Sequence, residues 1–301
     1  MGGELNMDEF GLARRIWRVI YPTLLYLLLS GLIGGIIAAV QMVLHISAAI
    51  SAGETFSPVR ITEFVLQYIT DNLLLISLYG YIAALAVFVP VWFKTKARYP
   101  RWNGGKFSIH VALCSVGAAI GIYLIISLII TVTGLAELVP SYDNIIDAVM
   151  GGSLPLRIIA VGLAAPVAEE LCFRGITLSR MSGTKLWLAL AVQAVLFGIL
   201  HMNILQSSYA ALLGLFLGFL TIRYRNIIYA IIAHIAFNMF SILLGTIESE
   251  LVVAIIAAGI IVVTVISVIG LVKCKGAEPY VAPEETPVEL EGAATQTVTE
   301  L

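Results

Sequence analysis

Eight stretches of this chain carry apolar residues with few interruptions, over lengths close to what a lipid bilayer demands. They cover 21–46, 73–93, 107–133, 154–178, 186–201, 208–222, 227–244 and 251–272. A hydrocarbon core of about 30 Å needs about 20 such residues in a helix. Inside lipid a backbone must satisfy its own hydrogen bonds, so each stretch is read as a helix. The expected fold class is therefore all-α, a polytopic integral membrane protein with about eight transmembrane helices. Composition agrees, at 60% hydrophobic and 12% charged residues.

The balance of charge narrows the possible partners. A net charge of -2 leaves no basic surplus to neutralise phosphates, and no phosphate-binding glycine loop is present, so nucleic acid is excluded as a partner. Cys114, Cys172 and Cys274 stand far apart, without the spacing of a zinc site or a disulfide framework, and are read as reduced packing residues. Glu4, Asp8 and Glu9 precede Arg14, Arg15 and Arg18, and no small-residue cleavage site follows the first apolar run, which argues against a cleaved signal peptide. Asn6 makes Gly2 a poor acceptor for myristate.

Lys and Arg alternate from loop to loop. Arg14, Arg15 and Arg18 precede the first stretch; Lys94, Lys96, Arg98, Arg101 and Lys106 follow the second. Arg180 with Lys185, Arg223 with Arg225, and Lys273 with Lys275 follow the fourth, sixth and eighth. The loops between hold mainly Glu54, Glu63, Asp71, Glu137, Asp143, Asp147, Glu248 and Glu250. Basic loops face the cytoplasm, so both termini of this multi-pass protein are expected there; the membrane is expected to be a prokaryotic plasma membrane. The expected organisation is a cytoplasmic segment 1–20, a helical domain 21–272, and a tail 273–301. That tail is rich in Pro, Glu and Thr and is expected to be disordered.

Two stretches are short. At about 1.5 Å per residue, 186–201 and 208–222 extend roughly 24 and 22 Å, so they form a hairpin whose polar tip, with Asn203 and Gln206, reaches membrane depth.

Ionisable side chains within such stretches are unfavourable by about 2.5–3.5 kcal/mol each, and they gather here in one place. Ala168-Glu169-Glu170-Leu171-Cys172-Phe173-Arg174 sets two carboxylates and a guanidinium in an apolar helix. Glu170 and Arg174 are four apart on one face, a favourable ion-pair spacing; Glu169 points about 100° away. The expected division is a structural Glu170–Arg174 pair and a Glu169 left free to act as a base. His201 ends the fifth stretch, where it could position a water beside Glu169. His234 and Asn238 share a face of the seventh, and both can donate to an oxyanion. Helical rise puts Glu169 and His234 roughly 16 and 14 Å from the basic loops but His201 about 24 Å away, so the fifth helix must tilt or begin deeper to bring them together.

These residues compose three ordered motifs, Glu-Glu-x-x-x-Arg, Phe-x-x-x-His and His-x-x-x-Asn, on successive apolar stretches. In this the chain resembles the CAAX protease and bacteriocin-processing family, which contains the CAAX prenyl endopeptidases. The resemblance spans Glu169 to Asn238, with a family core of about 107–244. It implies an intramembrane endopeptidase in which Glu169 and His201 activate water, His234 and Asn238 stabilise the oxyanion, and Glu170 and Arg174 support them. It further implies a peptide or membrane-protein substrate, lipidated or not, in bacteriocin or peptide processing or self-immunity. No cofactor is expected; two His and a Glu leave zinc as the alternative.

Other readings of the same residues are a proton-coupled transporter, with Glu and His as a relay, and a non-catalytic immunity or scaffold protein. Paired broken helices in related halves, the mark of many transporters, are not evident in the sequence. His45 and His110 lie near span ends and are read as interfacial. Gly31, Gly34 and Gly35 offer a close helix contact, and Trp17, Trp92 and Trp102 an aromatic belt.

Overall fold

The computed structural model describes residues 5–54 and 57–278, with the side chains of 5–10 left aside. Among them every regular element is helical. The chain is an integral membrane protein. Among the described residues, five helices are long and apolar enough to cross a bilayer, and a sixth span is added if one bent pair is counted together. All eight stretches expected from the sequence are helical. The shortfall from eight spans arises because two of them, Leu186–Leu200 and Ile228–Leu244, are too short to qualify.

Helix α1 (Leu5–Leu28) runs through a π-helical turn, Leu29–Ile33, into α2 (Gly34–Ser51), so the first expected span is a long composite rod. Next comes α3 (Pro58–Asp71), whose start is set by Pro58 at the first turn and by Ser57 accepting the Arg60 N–H. This amphipathic helix belonged to none of the apolar stretches. α4 (Leu73–Arg98) packs on the first rod with almost no side chain between them. A Cβ on Gly80 would collide with the Ser30 backbone, and one on Gly34 with Ile76. Small residues thus set this approach as they do in many membrane interfaces, while Gly31 and Gly35, from the same sequence cluster, face open space.

α5 (Ile109–Thr133) stops at Gly134, whose φ of 63° is the left-handed cap that releases a helix. α6 (Pro140–Met150) is separated by a 114° bend from the segment 154–178. That segment begins as α7 (Leu154–Arg157), passes through a π-helical stretch Ile158–Ala164, tightens to α8 (Ala165–Glu170), and widens again over Leu171–Leu178. Pro166 supplies a reason for the first widening: it lacks an N–H, and in α-geometry its ring would press on the Gly162 carbonyl.

α9 (Leu186–Leu200) and α10 (Ile204–Tyr224) form the expected hairpin, but only α9 is short: α10 starts four residues earlier than its apolar run and, at 21 residues, is long enough to cross a bilayer. The hairpin turn uses Met202 at φ 53° and is closed by Asn203, whose Oδ1 accepts the N–H groups of Leu205 and Gln206. α11 (Ile228–Leu244) and α12 (Glu250–Lys273) complete the bundle. One apolar core joins α5, α10, α11 and α12; a second joins α1, α4, α9 and the 165–178 segment. In the latter, Ala168, Cys172, Phe173 and Ile176 are wholly buried by protein, whereas α12 exposes Leu251, Ile255, Val262 and Ile266 on a lipid-facing side.

At the basic ends, Arg225 ties the fold together. Its guanidinium donates to the carbonyls of Pro100, Arg101, Asn103 and Glu278. The Ala277 N–H donates to the Arg223 carbonyl at 2.9 Å, laying residues 274–278 across the end of α10. The remainder of the tail expected to be disordered, 279–301, lies outside the described residues.

Candidate active site

The site grows from α8. Glu169 is 8% exposed and Glu170 wholly buried, and a buried carboxylate without partners is strongly unfavourable. The Arg174 guanidinium answers Glu170, donating to its Oε1 at 2.7 Å. Its second arm donates to the Gly214 carbonyl at 3.1 Å, and the Gln193 amide donates to the same carbonyl at 2.9 Å. The Glu170–Arg174 pair therefore bolts the 165–178 segment to α9 and α10.

His234, 3% exposed, stands between the two carboxylates. Its Nδ1 is 2.9 Å from Glu170 Oε1, and its Nε2 is 3.7 Å from Glu169 Oε2. Glu170 Oε1, which already accepts from Arg174, is the acceptor for the Nδ1 proton, and Nε2 is the nitrogen turned toward Glu169. The other Glu169 oxygen, Oε1, accepts the Tyr26 hydroxyl at 3.3 Å. No Arg or Lys pairs with Glu169 among the described residues.

His201 reaches this group through Phe197. The two rings meet edge to face at 5.1 Å, and the same Phe197 ring meets His234 at 5.6 Å and carries the Arg174 guanidinium at 4.5 Å. Phe197 lies one turn nearer the basic end of α9 than His201, about 5.4 Å, and helical side chains lean toward the N-terminus. His201 therefore folds back over Phe197. Its Nδ1 is 3.0 Å from the Phe197 carbonyl. A carbonyl only accepts, so Nδ1 donates to it, and in a singly protonated ring Nε2 is left to accept. No direct hydrogen bond joins His201 to Glu169 among the described residues.

Asn238 lies one turn beyond His234. Its amide donates to the Val161 carbonyl at 2.8 Å, in the π-helical stretch where the wider winding frees such groups. The second amide N–H stays available. Among the described residues, no group of three or more His, Cys, Asp or Glu side chains is arranged to hold a metal ion.

The sequence reading missed two contributors. Gln193 was signalled by the rule that found Glu169, a polar side chain inside an apolar run. Tyr26 had no such signal, because a tyrosine in a span is ordinary and its partner is 143 positions away.

Comparison with known proteins converges on the same helices. Residues 151–240 match the family described as Type II CAAX prenyl endopeptidase Rce1-like. A protein of Bacillus subtilis (strain 168) named "Putative membrane peptidase YdiL" is 26% identical over 176 residues, which cover 56% of this chain and 70% of the relative. No solved structure matches. The segment that builds this site, 151–240, is thus similar to the Rce1-like type II CAAX prenyl endopeptidases, and the resemblance drawn from the three ordered motifs stands.

Proposed function

We propose that this chain is an intramembrane endopeptidase that hydrolyses peptide bonds with a water activated by Glu169. The observation that carries the reading is His234 held by Glu170 through Nδ1, with Nε2 facing Glu169 Oε2 at 3.7 Å. A water about 2.8 Å from both atoms would form the apex of a triangle on that edge, within ordinary hydrogen-bond geometry.

In the reaction, Glu169 takes a proton from this water as its oxygen bonds to the scissile carbonyl carbon. His201 orients the water by accepting through Nε2. The developing oxyanion receives the free Asn238 N–H and the Nε2–H of His234, whose ring enters the step protonated at both nitrogens between the two carboxylates. Glu169 then delivers its proton to the amide nitrogen as the C–N bond breaks, giving a carboxylic acid and an amine, and the acid's proton passes to the amine. Arg174 and Glu170 touch no reacting atom; they keep the His234 ring in orientation. This scheme needs no metal. Peptide or membrane-protein substrates, lipidated or not, fit the setting, and bacteriocin or peptide processing and self-immunity are the biological settings the resemblance suggests. The alternation of basic loops supports cytoplasmic termini in a plasma membrane.

The test compares membrane peptides from wild-type cells and cells carrying Glu169→Gln. Uncut precursors should accumulate in the variant, and an unchanged peptide population would overturn the proposal.

A further inference from the structure

We infer that Tyr26 is a positioning residue of the active site, acting on Glu169 from a helix outside the 151–240 segment; this rests on Glu169 being the base. The phenol is 3% exposed and donates to Glu169 Oε1 at 3.3 Å. The oxygen it leaves free, Oε2, is the one that faces His234 Nε2. A terminal carboxylate torsion has a broad minimum, so an anchored Oε1 is what keeps Oε2 aimed at the water site.

The phenol is itself held from several sides. Its ring stacks on Phe88 of α4 at 6.1 Å and 11°. Its carbonyl accepts the Ser30 hydroxyl at 2.8 Å, and the next turn is where Gly80 brings α4 against the Ser30 backbone. Tyr26 and Phe88 also share the apolar cluster of Ala168, Cys172 and Phe197, so α1 and α4 deliver the hydroxyl to the floor of α8.

A packing residue and a positioning residue differ in what their loss changes. The substrate for kinetics is the precursor that accumulates in Glu169→Gln cells. In the full-length protein, Tyr26→Phe keeps the ring and removes one hydrogen bond to a charged group, so kcat should fall about tenfold with KM within about twofold. Phe88→Leu, which loosens the stack but keeps the hydroxyl, should lower the thermal midpoint with a smaller effect on kcat. Placing 3,5-difluorotyrosine at position 26 preserves shape while making the hydroxyl more acidic, and kcat should shift more than twofold with KM held. Should Tyr26→Phe fail to fold, that isosteric replacement decides. Wild-type kcat in either position-26 variant overturns the inference, as does a kcat loss that Phe88→Leu reproduces in full. Cleavage retained in Glu169→Gln would instead overturn the proposed function on which it rests.

Discussion

Arg174 is the side chain whose loss should be felt most. It is wholly buried, pairs with Glu170 at 2.7 Å, reaches the Gly214 carbonyl and lies over the Phe197 ring. Arg174→Met should strand the Glu170 carboxylate and destabilise the fold by about 3–5 kcal/mol, while the double variant Glu170→Met, Arg174→Met should recover part of that. Thermal unfolding in detergent checks both, and equal destabilisation in the two would count against the pair. His201→Ala should behave oppositely, abolishing cleavage while leaving the thermal midpoint close to wild type, since His201 is only partly buried. In the proposed mechanism each histidine presents Nε2 to water rather than to a cation, so activity should persist in 1,10-phenanthroline. Loss of activity there, restored by zinc, would favour the metal alternative. The Glu170–Arg174 pair was legible in the sequence because a spacing of four fixes a shared helix face whatever the helix packs against. The roles of the ring nitrogens of His201 and His234 were not, since the Phe197 carbonyl and the Glu170 carboxylate decide them.

At the scale of elements, two features of backbone shape carry the site. The π-helical winding on both sides of α8 is the first. It releases the Val161 carbonyl to receive Asn238, and it follows from Pro166 on one side. Replacing Pro166 with Ala should let the 158–164 turn tighten toward α-geometry and withdraw that carbonyl, seen as a fall in kcat with little change in expression. The second is the close approach of α4 to the first rod at Gly80 and Ser30. Gly80→Leu should push α4 away and reduce the yield of folded protein, whereas Gly35→Leu, in open space on the same rod as Ser30, should be tolerated. The apolar runs forecast where the helices lie. They gave no sign that one of them would be wound as π, because winding responds to local backbone crowding rather than to hydrophobicity.

Across the whole molecule, α1, α4, α9, α10 and α11 pack against one segment, 154–178. The site draws Tyr26 from α1, Phe197 and His201 from α9, and His234 and Asn238 from α11. If the basic loops lie on one side of the membrane, cysteines placed in turn at Gly104 and Gly183 should both be labelled by an impermeant reagent only after cell lysis, and a cysteine at Gly53 in intact cells. Labelling of the first two in intact cells would reverse the orientation. Apolar length and charge alternation were enough to determine, from the sequence alone, a helical membrane protein and the ion pair of Glu170 and Arg174. Periodicity and burial of charge are local properties of a chain in lipid, whereas the remaining side chains were named by the resemblance of three motifs. Only the tertiary structure decided which carboxylate oxygen faces which imidazole nitrogen, how His201 folds back over Phe197, and that Tyr26 closes on Glu169. Those are relations between residues distant in the chain, and they exist only where packed helices bring their faces together.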